Sequence, residues 1–96
     1  MATPTPEPAL QDILTRLKRI EGQVRGLQEM IQQERDCEAI LTQVRAVQAA
    51  LRAVGGLVLH HYLAQCREEW EKEPDPRTLE RKLRRAVELL TKFMGG

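Results

Sequence analysis

Aromatic side chains are nearly missing from this chain. One Trp, one Tyr and one Phe stand among 96 residues, so its interior has to be aliphatic. Cysteine is equally scarce. Two residues are too few for the disulfide framework of a small secreted domain. The opening MATPTPEPA carries neither the basic nor the apolar stretch of a secretory leader. No apolar run approaches the ~20 residues that span a bilayer. These absences lead us to expect a cytoplasmic protein with no membrane partner, where thiols are fillers, metal ligands or redox sensors. There is also no catalytic constellation, no glycine-rich phosphate loop and no alternating strand–helix pattern. An enzyme is the reading the sequence favours least.

What is present points to helices. Leu, Ile, Val and Ala dominate an apolar content of 42%, mixed with Glu, Gln, Arg and Lys, all good helix formers. Residues 1–8, with prolines at 4, 6 and 8, read as a disordered tail before a single domain at 9–96. From Leu10 the apolar residues recur at helical spacing through Ile13, Leu14, Leu17, Ile20, Val24, Leu27 and Ile31. That stripe ends near QQERD. Asp36 then reads as an N-cap with Cys37 in the first turn behind it. A second stripe continues past Leu41, Val44, Leu51, Val58 and Tyr62 to Cys66 with no proline until residue 74. Gly55–Gly56 is its weak point, each glycine costing about 1 kcal/mol relative to Ala. The pair suits either a kink or the close approach of a neighbour. After EKEPDPR, Asp75–Pro76 opens a third helix striped by Leu79, Leu83, Ala86, Val87, Leu90 and Met94. The expected fold is therefore all-α, three helices with a long central one. A central helix of ~35 residues is ~50 Å long and too apolar between 39 and 59 to stand alone. We expect an oligomer built on paired second helices.

The formal net charge is only +1, but charge is unevenly placed. No Asp or Glu occurs from Ala39 to Gln65, where Arg45 and Arg52 stand. Between Ile13 and Gln28, Arg16, Lys18, Arg19 and Arg25 face Glu21 alone. Most such charges are ordinary solvated helix faces. A positive stripe of this kind also suits a polyanion.

The two cysteines lie 29 residues apart, about eight helical turns, which places them within ~20° of one face but ~43 Å apart along one axis. One continuous helix cannot join them. Two antiparallel helices can, Cys37 of one against Cys66 of the other. The run HHYLAQC does not make a one-chain metal site. Ligands on a helix converge at i,i+3 or i,i+4, and the residue four before Cys66 is Tyr62, which fits an aromatic beside the thiols. His61 and His60 point ~140° and ~120° away and read as polar surface. Cys37, at a helix start, feels the helix dipole that favours thiolate. Arg35 would aid this, while Asp36 and Glu38 would oppose it.

The segment RLKRIEGQVRGLQEMI at 16–31, followed by Cys37, LTQVRAVQAALRAVG at 41–55 and Cys66, resembles the CsoR/RcnR family of bacterial transcriptional repressors from about Leu14 onward. The resemblance implies an antiparallel dimer of long second helices with a four-helix-bundle core, assembling as a dimer of dimers into a homotetramer. It implies repression by binding operator double-stranded DNA, and release by an inducer. Arg16 and Arg52 match the family pattern for DNA contacts, and Lys18 and Arg19 join them on the charge argument. Copper sensors of the family carry a histidine where this chain has Tyr62, and tend to have a tyrosine where it has Asp36. Their third-helix glutamate falls near Lys82, with Glu80 close by. A cysteine pair without that histidine is similar to the persulfide-sensing, CstR-like branch. On that reading no cofactor is required. Cys37 is the attacking thiolate and Cys66 of a neighbouring subunit its resolving partner, with Tyr62 beside them. The alternative is a Cu(I) sensor using Cys37 and Cys66, with His61 at most peripheral, since thiolates suit Cu(I).

Overall fold

The computed structural model describes residues 8–95, which form three helices: α1 (Pro8–Gln32), α2 (Cys37–Lys72) and α3 (Pro76–Gly95). Residues 1–7 of the expected tail lie outside the described residues, while Pro8 already opens α1. Proline suits that first position because its missing N–H would have had no helical partner.

The boundaries have local causes. At the end of α1 the Arg35 N–H donates to the Met30 carbonyl at 3.0 Å and the Glu34 N–H to the Ile31 carbonyl at 3.1 Å. Together these satisfy the last carbonyls in a Schellman closure. The closure needs a left-handed residue, and Glu34 takes that place with φ 53° where glycine is the usual choice. Asp36 caps α2 as its sequence position suggests, its Oδ2 accepting the Ala39 N–H at 3.1 Å. Asp75 caps α3. It accepts the Arg77 N–H at 3.2 Å and the Thr78 hydroxyl at 2.7 Å. α2 is helical through Gly55–Gly56.

The chain divides into two compact units, Met1–Val54 and Gly55–Gly96. In the first, α1 buries Ile13 and Ile20 and the early part of α2 buries Val47 and Val54. Each pair is two turns apart, so each helix offers one narrow apolar seam. The Gln43 side-chain amide ties the two helices by donating to the Gln23 carbonyl at 3.3 Å. In the second unit the later part of α2 faces α3, burying Cys66 and Ala86. Here Gly55 allows a close approach. A Cβ on it would overlap ring carbons of Phe93 from α3, whereas a Cβ on Gly56 would meet nothing within 4 Å.

Much of the expected stripe stays outside these seams. Leu41, Leu51 and Val58 of α2 and Leu83, Val87, Leu90 and Met94 of α3 are exposed in the single chain. Burying a side chain of this size contributes about 1.5–3 kcal/mol, which these residues forgo. Ion pairs along the helices, such as Arg84–Glu80 at 2.7 Å, are exposed and add little stability.

Candidate functional site

Cys37 and Cys66 are both free thiols, the first exposed and the second buried. Cys37 is the first residue of α2, directly behind the Asp36 cap and three residues after left-handed Glu34. The turn that places it is thus closed by backbone hydrogen bonds at the end of α1 and by the Asp36 carboxylate at the start of α2. Cys37 belongs to the first unit and Cys66 to the second.

Cys66 is only 4% exposed. Tyr62 stands one turn before it, as the spacing requires. Burial, then the interaction with Cys66, push the Tyr62 hydroxyl above its ordinary pKa, with Arg85 pulling the other way. Tyr62 therefore stays a neutral phenol one turn from the sulfur. Sequence reasoning paired these two residues, and the structure brings them together. It missed what lies on the other side of the thiol. A small pocket against Cys66 is lined by Glu69, Trp70, Glu73, Asp75 and Lys82 among others, and Lys82 is ion-paired to Glu69. The signal was available. Glu69 stands five residues before the Pro74–Asp75 turn and Lys82 seven after it, so an antiparallel helix pair sets them side by side.

No histidine lines that pocket. His60 is exposed and His61 half-buried. Among the described residues no group of three or more His, Cys, Asp or Glu is placed to hold a metal ion.

Arg16, Lys18, Arg19 and Arg52 are all exposed and all belong to the first unit. Arg16 is engaged with Asp12 at 3.2 Å, an exposed pair worth at most about 1 kcal/mol that a phosphate can displace. Arg45 and Arg52, two turns apart, share a face of α2. Among the described residues, no helix is long and apolar enough to cross a membrane.

Known proteins set these features in context. A family model described as metal-sensitive transcriptional repressor matches residues 9–92. The chain belongs to this family. Membership agrees with the CsoR/RcnR resemblance and with the expectation of a non-enzyme.

The chain is 50% identical over 54 residues to the copper-sensing transcriptional repressor CsoR of Bacillus subtilis (strain 168), covering 56% of this chain and 54% of that protein. It is 47% identical over 51 residues to the copper-sensing transcriptional repressor RicR of Mycobacterium tuberculosis (strain ATCC 25618 / H37Rv), covering 53% of each. The match thus spans about half the length of these relatives. Two solved structures are similar over nearly the whole chain. The copper-sensing repressor CsoR with Cu(I) from Geobacillus thermodenitrificans NG80-2 is 35% identical with a TM-score of 0.77, covering 97% of this chain and 94% of that one. The nickel-responsive transcriptional regulator InrS is 35% identical with a TM-score of 0.74, covering 96% and 99%.

One expectation is overturned by these findings. The reading that no cofactor is required does not stand in a family defined by metal sensitivity, with relatives that sense copper or respond to nickel and one solved with Cu(I). The physical reason is that free thiols are soft donors of the kind Cu(I) prefers, so a chain with two free cysteines is compatible with a metal.

Proposed function

We propose that this chain is a copper-responsive repressor, a single helical DNA-binding and sensing domain over residues 9–96. It binds operator double-stranded DNA and lets go when Cu(I) occupies Cys37 and Cys66. The observation that carries this reading is the pair of free thiols in a member of a metal-sensitive repressor family. Soft thiolates are the donors Cu(I) prefers, and the copper-sensing relatives point the same way. The two donors come from different copies, Cys37 of one and Cys66 of another, in an antiparallel dimer that pairs into a homotetramer. The exposed apolar residues of α2 and α3 supply the surface such an assembly buries. His61 stays outside the donor set.

Arg16, Lys18, Arg19 and Arg52 are the proposed DNA contacts. Binding through them releases counterions from phosphate, so affinity falls steeply with salt. Cu(I) acts by stabilising the assembly that fits DNA poorly.

A second reading, release by persulfide attack on the same thiols, is favoured by one observation. The residue one turn before Cys66 is Tyr62, a neutral phenol rather than a soft ligand. A single experiment decides. Reduced protein is titrated with Cu(I) against a competing chelator, and separately treated with a persulfide donor. Gel shift on operator DNA and intact mass follow each arm. Tight Cu(I) binding with loss of the DNA complex supports the copper reading. Indifference to Cu(I), with sulfur-bridged dimers and loss of the DNA complex in the donor arm, replaces it with the second.

A further inference from the structure

The pocket against Cys66 has a lopsided charge. Three carboxylates line it, Glu69, Glu73 and Asp75, and Lys82 is the single cation among its lining residues. Lys82 is ion-paired to Glu69, and both side chains line the pocket that Cys66 also lines. The side chain is 31% exposed, which keeps its field less screened than that of a free surface lysine. One turn further along α3, Arg85 lends its charge to the Tyr62 hydroxyl. α3 thus brings two cations toward Cys66 and Tyr62, Lys82 ion-paired to Glu69 and Arg85 to Glu88, although the pocket as a whole is acidic.

A two-thiolate complex of Cu(I) carries a net negative charge, because two anionic sulfurs outweigh one monovalent ion. At Cys66 that charge sits on a sulfur with almost no access to water. Burying an uncompensated anion is costly, and the three carboxylates raise the cost. We propose that Lys82 is the specificity-determining positioning residue of the Cys66 thiol: its ammonium supplies the counter-charge that lets an anionic species form or enter there. The proposal rests on the copper reading for its natural ligand, but its physical content concerns charge at one thiol. Glu69 tunes the effect. It holds the ammonium in place and partly neutralises it, so removing its charge should strengthen the field that Cys66 feels.

The test uses the full chain in two forms. The first is Cys37→Ser, in which Cys66 is the only thiol. Its rate of reaction with an anionic aromatic disulfide is divided by its rate with a neutral one. In that background Lys82→Met should lower the ratio about fivefold, Lys82→Arg should restore it, and Glu69→Gln should raise it. A merely structural role for Lys82 would change both rates together and leave the ratio where it was. The second form keeps both cysteines and is titrated with Cu(I) against a competing chelator. Lys82→Met should weaken binding about tenfold, and Lys82→Arg should not. An unchanged ratio in Lys82→Met protein of native helicity overturns the proposal. A ratio that responds, in protein whose parent binds no Cu(I), overturns the copper reading and leaves the role of Lys82 standing.

Discussion

Replacing Gly55 and Gly56 by alanine, one at a time, asks whether Phe93 occupies the seat on α2. Each replacement gains about 1 kcal/mol of helix preference. At Gly56 that gain stands, because a new Cβ meets nothing within 4 Å. At Gly55 the Cβ would overlap Cζ, Cε1 and Cε2 of Phe93, so the ring has to swing away. Phe93 is 46% exposed, so slightly more than half its surface is covered. Full burial of such a side chain is worth about 1.5–3 kcal/mol, and losing half of it costs about 1–1.5 kcal/mol. The gain and the loss nearly cancel at Gly55. The two variants should therefore differ by about 1–1.5 kcal/mol, or roughly 4–10 °C in Tm for a chain of this size. Thermal unfolding followed by circular dichroism, at one matched protein concentration, reads the difference. In a Phe93→Ala background both alanines should gain alike. If Gly55→Ala raises Tm as much as Gly56→Ala with Phe93 present, the seat is not occupied and the reasoning fails.

Glu34→Gly should raise stability by about 0.5–1 kcal/mol, since a left-handed non-glycine residue is strained and glycine's own entropy cost offsets only part of that; denaturant unfolding would show a higher midpoint at unchanged slope. Asp36→Ala removes the cap of α2 and should cost about 1 kcal/mol, whereas Asp36→Ser should recover most of it in the same assay. The Asp75 carboxyl is held below its ordinary value of 3.8, first by the Thr78 hydroxyl, against the opposing effect of burial, with help from backbone N–H groups and Arg81. A depressed pKa stabilises the fold above the unfolded-state value and loses that contribution as pH falls through the folded-state value. Asp75→Asn should accordingly flatten the acid limb of the stability profile below about pH 4, and an unchanged limb would rule out the cap as its source. Cys37→Ser and Cys66→Ser should each abolish tight Cu(I) binding in the chelator competition, and mixing the two variants should restore part of it if donors come from different copies.

The elements were readable from periodicity and punctuation. Asp36, Asp75 and Pro76 marked helix starts because caps act within one turn, where sequence distance equals spatial distance. The pairing of Tyr62 with Cys66 followed for the same reason. Glu34 was not foreseen, since nothing in QQERD contains the glycine that usually marks a left-handed closure. Gly55 was recognised as either kink or approach. Choosing between them required knowing that Phe93, thirty-eight positions later, lies against it. Lys82 illustrates the same limit. The resemblance drew attention to that position for a carboxylate it lacks, while its actual partner, Glu69, depends on how the turn after Lys72 folds back.

Trp70 is the only tryptophan in the chain, and it lines the pocket that holds Cys66. Its indole emission therefore comes from one place, one helical turn from the buried sulfur. Whatever reaches that thiol changes the surroundings of a built-in optical probe, and occupancy can be followed in unlabelled protein.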